Sequence, residues 1–426
     1  MTRTIALAQG ARKTFAALGA LAFVALFAAC AGDPFAGTLS RGEPRTERAP
    51  MPDARGADAW QPSAAALLAP HMQGREPVRV GLLLPLTAAN PSVSRLGNAL
   101  FDAAELAVFQ INNPNLLLMP QDTQGTSEGA RAAATRAIED GAEILLGPLF
   151  AEEVSAVAPV AASRAVPVVA FSSDRAVAGP GTFLLSFSAE DEVERVTRFA
   201  VSQGLTQIAA LVPQGTYGSR VENELMAVAG QTGAQVVDVV FYYPGAENFL
   251  EPTKQLADAY KQGYAVFDAV LIPEGGTSLR GLVPLLPYYD IDNRKVRFLG
   301  TGLWDDPSLW REPSLYGGWF AAPDPRSRAG FVSRFAEVNG HAPERIATLA
   351  FDAVTLAAAL ADGAPGQRYT PARISDPNGF FGLDGIFRFR PDGTIERGLA
   401  VLEVNDGRIQ IVSPAPDRFD VPPLGF

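Results

Sequence analysis

The sequence predicts an α/β protein built as two doubly wound, parallel-sheet lobes, and three observations carry that expectation. Short apolar runs alternate with amphipathic stretches of helical length, and the alternation occurs as two consecutive series. The runs are almost continuously apolar, as strands covered on both faces are. In a chain of 426 residues, two series of this size outgrow a single sheet and separate into two lobes.

The first series opens with VRVGLLLPL, Val78 to Leu86, a strand without polar alternation. Ser94 to Asn112 follows, with Leu96, Leu100, Ala103, Ala107 and Ile111 at helical spacing. LLLMPQD, EILLGPL and VPVVAFSS then supply strands, separated by helices over Ser127 to Asp140 and Glu152 to Arg164. Crossover helices of this length make the strands parallel. The second series begins at SFSAEDEVERV, where Ser188 and Asp191 form a capping pattern for a helix reaching Gln203. Glu190, Asp191 and Glu192 read as first-turn charge favoured by the helix dipole. IAALVP, VVDVVFYY, FDAVLIPEG and VRFLGTGLW are the strands of this series, and Tyr217 to Thr232 is a helix with Val221, Leu225 and Val228 on one face.

Two alanine-rich helices, Ser327 to Val338 and Ile346 to Asp362, come after the second series and need a surface to cover. The chain is therefore expected to return to the first lobe. Pro391-Asp392-Gly393 and Asn405-Asp406-Gly407 then mark turns between β-patterned runs.

The N-terminus reads as an export signal. Arg3, Arg12 and Lys13 precede an apolar run from Phe15 to Ala29, shorter than the roughly 20 residues a membrane-spanning helix needs. Leu26, Ala28, Ala29 and Cys30 resemble a bacterial lipobox, with Phe27 where an aliphatic residue is usual. Cys30 is the sole cysteine, so an intramolecular disulfide is excluded and lipidation is its expected fate. Residues 31–75, rich in Pro, Gly, Ala and scattered charge, read as a disordered tether with an end-to-end distance of roughly 35 to 40 Å. Net charge is −11, and about −14 without the three basic signal residues. Such an acidic body repels nucleic acid and anionic headgroups, so membrane contact is expected only through the lipid anchor.

From Glu76 to about Val412 the order and spacing of VRVGLLLPL, Asp122, ILLGPL, VPVVAFSS, LVPQGTYG, GAENF, FVSRFAEVNGHAPERIATLAFDAVTLAAAL and GLDGIFRFRPDG resemble a type I periplasmic-binding-protein fold of the leucine-binding-protein class. The resemblance implies two lobes joined by three hinge crossings. It divides the chain into residues 1–30 as lipoprotein signal, 31–75 as tether, 76–190 with 324–376 as the N-terminal lobe, 191–323 with 377–413 as the C-terminal lobe, and 414–426 as a tail.

Two functions are open within that family. One is a substrate receptor that delivers amino acids or amides to an ABC transporter permease. Strand ends and helix N-termini facing the cleft would then contact the solute. The residues at those positions are Thr87, Asn90, Phe150, Ser172, Ser173, Asp174, Tyr217, Glu274 and Trp304. Ser172 matches the family's hydroxyl after the fourth strand, and Tyr217-Gly218 its aromatic at a helix start. Leu149, Phe150 and Ala151 stand where the receptors carry a serine. The other function is activation of a penicillin-binding protein, a peptidoglycan synthase, through surface contacts. SFSAEDEVERVTRFAVSQGLTQIAALVP, with Ser188, Glu190, Asp191 and Glu192, resembles the helix-initiating segment of such activators, as does VAFSSDRAVAG. This reading is the one the sequence favours. Ala31 lacks the aspartate that retains some lipoproteins in the inner membrane, which points to a periplasmic protein anchored in the outer one.

Enzyme chemistry finds no support in the residues. His71 and His341 cannot form a metal pair or serve a hydroxyl triad, GPGTF and LGTGLW lack phosphate-loop spacing, and Asp305-Asp306 before Pro307 reads as a loop cap. No cofactor and no metal are implied.

Overall fold

The computed structural model describes residues 76–245 and 249–419. The expected signal, Cys30, the tether, the centre of GAENF and the end of the tail lie outside the described residues. Among the described residues no helix is long and apolar enough to cross a membrane.

The first lobe runs β1(Val78–Leu84), α1(Pro91–Ile111), β2(Leu116–Asp122), α2(Ser127–Glu139), β3(Ile144–Leu146), α3(Ala151–Ala162), β4(Val168–Ala170) and β5(Thr182–Leu184). Its five strands are parallel in the order β2-β1-β3-β4-β5. The unbroken apolar run of β1 has a simple cause: alternate residues leave opposite faces of the sheet. Val80, Leu82 and Leu84 enter one core and Leu83 the other, and both are closed off by helices. Asn90 and Thr126 start α1 and α2 by accepting hydrogen bonds from the amides of Ser92 and Gly129.

The second lobe runs α4(Ala189–Ser202), β6(Gln207–Pro213), α5(Thr216–Thr232), β7(Gln235–Tyr242), α6(Leu250–Lys261), β8(Ala269–Leu271), α7(Gly276–Leu282), α8(Leu285–Tyr288), β9(Arg297–Gly300) and β10(Trp319–Ala322). The chain then returns to the first lobe with α9(Ala329–Asn339), α10(Ala347–Ala359) and α11(Pro371–Ile374), whose Phe331, Phe335, Ala350 and Ile374 join the same core as Leu82. β11(Phe380–Gly382), β12(Gly385–Phe389) and β13(Ile395–Arg397) form a small antiparallel sheet. Finally β14(Ala400–Asn405) and β15(Arg408–Ser413) complete a second sheet, ordered β15-β14-β10-β9-β8-β6-β7.

One boundary differs from the expectation. Residues 377–397 do not go to the second lobe, because Phe387, Phe389 and Ile395 fill the first lobe's core. The second lobe resumes only at Leu399. The chain thus crosses between lobes near 186–188, 323–328 and 396–398. The first and third crossings are tied together: Arg397 Nε donates to the Ser186 carbonyl at 2.7 Å, and the Leu184 amide donates to the Gly393 carbonyl at 2.9 Å.

Candidate functional site

The first turn of α4 sits where the lobes meet. Ser188 Oγ accepts from the Asp191 amide at 3.3 Å, as its sequence pattern predicts. The three acids after it are not a solvated first turn, however, since Glu190, Asp191 and Glu192 are all buried. Arg175 lies within ion-pair distance of both Glu190, at 3.5 Å, and Asp191, and each acid also has a partner of its own. Glu190 receives a two-pronged pair from Arg220 of α5, with Nε and Nη2 both at 2.7 Å. The same Arg220 donates to the Ser173 carbonyl of the first lobe at 2.7 Å. Asp191 is reached by Arg175 at 2.9 Å and by Arg390 at 3.3 Å, both from the first lobe. Burial pushes Asp191 up to about 6 against the pull of Arg390 and Arg175, so it is ionised at neutral pH and holds both guanidiniums.

Among the described residues Glu192 has no cationic partner within ion-pair distance, and its carboxyl accepts the Gly302 amide at 2.9 Å. Burial pushes its carboxyl up to about 8. Protonated Glu192 is therefore the main form at pH 7. The contact requires glycine at 302, because a Cβ there would stand 2.5 Å from Glu192 Oε1.

Asp305 is the counterpart on the second lobe. Its Oδ2 lies 2.6 Å from Arg328, at the second crossing, and 3.4 Å from Arg345, which the first lobe supplies between α9 and α10. Arg345 also pairs with buried Asp384 at 2.9 Å and stacks over Phe187 at 4.2 Å. Against burial, Arg345 and Arg397 hold Asp384 below the usual carboxylate range, whereas burial and the charge on Asp384 raise Asp352.

Between these groups lies a cavity of about 350 Å³ that both lobes line. Ser173, Phe187, Arg345 and Ile346 come from the first lobe and its crossings; Glu192, Tyr217, Arg220, Leu303 and Asp305 come from the second. Tyr217 bonds Thr301 through its hydroxyl at 3.3 Å, and burial raises its pKa, so it stays protonated and able to donate. Tyr217 and Leu303 also line an adjoining hollow of about 320 Å³ with Glu274. Glu274 accepts from the Tyr242 hydroxyl at 2.7 Å.

The predicted positions divide accordingly. Ser173 and Tyr217 line the main cavity and Glu274 the adjoining one. Ser172 is buried and accepts from the Asp174 amide, while Asp174 caps a short turn through the Ala176 amide. Thr87 bonds Asp122, Asn90 caps α1, and Phe150 precedes α3 beside a separate hollow with Ser127 and Glu153; none of the three lines the interlobe cavity. Trp304 was expected in the cleft and is instead in the second lobe's core, fully buried, with Nε1 donating to the Ile272 carbonyl at 3.2 Å. Gly300 makes room for its ring, since a Cβ there would fall 2.2 Å from it. Its neighbour Leu303 faces the cavity. Asp306 does cap its loop through the Ser308 amide, but Asp305 does not.

Arg220, Glu192, Asp305 and Arg345 escaped the strand-end reading. Arg220 had a signal, standing three residues after Tyr217 and so on the same face of α5. Arg345 had none, because it comes from the far end of the chain. The cavity can hold a small molecule by its anionic or polar groups against Arg345, Ser173 and Tyr217, with Phe187, Leu303 and Ile346 for apolar parts. No nucleophile–base pair lines it, and among the described residues no cluster of His, Cys, Asp and Glu could hold a metal.

Comparison with known proteins gives the architecture its context. A family profile described as periplasmic binding protein matches residues 77–408. No curated protein is similar enough to count as a match. Among solved structures, a candidate branched-chain amino acid ABC transporter from Rhodospirillum rubrum superimposes with a TM-score of 0.69 at 18% identity, covering 79% of this chain and 100% of its own. An ABC transporter substrate-binding protein from Sphaerobacter thermophilus gives 0.65 at 19% identity, covering 81% of this chain and 98% of its own. A third, from Desulfitobacterium hafniense in complex with Leu, gives 0.59 at 18% identity, covering 79% of this chain and 100% of its own. At these identities the likeness is one of fold.

Proposed function

The chain belongs to the periplasmic binding protein family, and from that premise we propose that it is a non-catalytic, extracytoplasmic solute receptor, tethered through Cys30 and passing its ligand to an ABC transporter permease. One observation carries this reading: the cavity of about 350 Å³ is lined from both lobes and combines a partly buried guanidinium, Arg345, with a phenol, a serine and apolar walls. That composition suits a small carboxylate-bearing solute such as an amino acid. A ligand touching both lobes stabilises the closed arrangement by its differential affinity for it, and the lobes would hinge at the three crossings.

The test is a thermal-shift and calorimetric panel of amino acids, amides and aromatic acids. Saturable stabilisation by at least one, lost in Arg345→Met, is the expected result. A flat response across the panel would count against a receptor.

Activation of a penicillin-binding protein is the second reading, and one feature favours it. The cavity's charges are already bonded to one another, Arg220 to Glu190 and Asp305 to Arg328 and Arg345. Leu149 and Phe150 also stand where a receptor has its serine. Capture of a purified peptidoglycan synthase, with no solute response, is what this reading requires.

A further inference from the structure

A further hollow lies away from the lobe boundary. It is a groove of about 1050 Å³ along the outer edge of the first lobe, between α1 and β2. Phe101 and Phe109 of α1 and Leu117 and Leu118 of β2 line it, and Asn113 and Pro114 form its rim. Phe109, in the last turn of α1, is 77% exposed, an unusual degree of exposure for a phenylalanine. Among the described residues β2 is the edge strand of its sheet, with no strand paired to its outer side. An apolar edge strand left bare is a liability that proteins normally cover.

The chain itself has an apolar segment within reach of the groove. β1 begins at Val78, whose amide donates to the Asn115 carbonyl at 2.7 Å and which stands opposite Leu116. Residues 76 and 77 therefore leave the lobe at the groove's rim. The most apolar stretch between Cys30 and Val78 is Ala64-Ala65-Ala66-Leu67-Leu68-Ala69. Leu68 lies ten Cα–Cα steps before Val78, a reach of up to about 33 Å. The groove extends along α1 for roughly 17 Å.

We propose that the segment Ala64 to Ala69 of this same chain docks in the groove between α1 and β2, with Leu67 and Leu68 against Phe109, Leu117 and Leu118. Covalent attachment at the rim holds the segment there at an effective concentration on the order of millimolar, so a contact of modest area suffices. The docked segment takes the last part of the tether out of free motion and sets which face of the first lobe points back toward the membrane anchor. The freely moving tether is then residues 31–63, with a reach of roughly 30 Å.

Hydrogen exchange on the full chain tests this. Amides of residues 65–69 should exchange at least tenfold more slowly than in the Phe109→Asp variant, whose melting temperature should match the parent. Leu68→Asp, altered outside the lobe, should release the same amides and raise hydroxyl-radical oxidation of Phe109 several-fold; it keeps the test in force if Phe109→Asp fails to fold. Free-chain exchange at residues 65–69 in the parent overturns the proposal. So does protection that survives Phe109→Asp. Protection that grows with protein concentration, together with a dimer in sedimentation, also overturns it and makes the groove a face between copies.

Discussion

The interiors of the two lobes and the boundary between them are stabilised by different physics. Each lobe interior is a pair of apolar layers, one on each face of a sheet, with Leu82, Leu83, Phe298 and Phe320 almost wholly excluded from water. The boundary is built from guanidiniums and carboxylates: Arg175, Arg328, Arg345 and Arg390 from one side, Glu190, Asp191 and Asp305 from the other. Close-packed apolar layers lose contacts with any displacement and so move as rigid bodies. Ion pairs across the boundary can be exchanged for hydration when the lobes part and water enters, at a smaller net cost. The lobes are therefore the fixed parts and the boundary is the part that can change.

Variants that separate these two behaviours test the distinction. The largest effect is expected inside a lobe. Phe320→Ala should cost about 4 kcal/mol by leaving a cavity beside Trp304, whose ring centroid lies 6.1 Å away. It should lower the denaturation midpoint without altering the radius of gyration. Asp305→Ala should cost about 3 kcal/mol, because it strands Arg328 and leaves Arg345 with Asp384 alone. Unlike the core variant, it should expand the native protein in small-angle scattering; unchanged dimensions would mean the boundary does not depend on this pair.

The smallest effect is a pH dependence. Folding raises the Glu192 carboxyl to about 8, so the native state binds a proton there that the unfolded chain releases near its ordinary value. Stability from this group is complete below about pH 4 and declines as pH rises toward 8. Glu192→Gln keeps an acceptor for the Gly302 amide and cannot titrate. Melting temperatures of the parent should fall between pH 5 and 8 more steeply than those of Glu192→Gln. Parallel curves would show that Glu192 is ionised in the folded protein.

The same division explains how far the sequence could be read. The strands, the crossover helices, the Ser188 cap and both late turns follow from periodicity and turn chemistry, which act over a few residues. Tyr217 was legible because a helix start after a strand end is a local event. The error over residues 377–397 has a different origin: a β-meander covers either lobe equally well by its own pattern, and only Phe387, Phe389 and Ile395 meeting the first lobe's core decides between them. Trp304 and Leu303 show the limit most clearly. They are adjacent in the chain, yet one fills the core and the other faces the cavity, and the difference is set by where Gly300 leaves space.

By itself the amino-acid sequence determined the α/β alternation, the division into two series and the return of the last helices, because apolar burial imposes a period that local composition records. The pairing of Asp305 with Arg328 and Arg345, of Asp191 with Arg390, and the isolation of Glu192 were decided only in three dimensions. Charges attract over a few ångströms of space whatever their separation along the chain, and no local pattern registers which distant partner the fold will bring within reach.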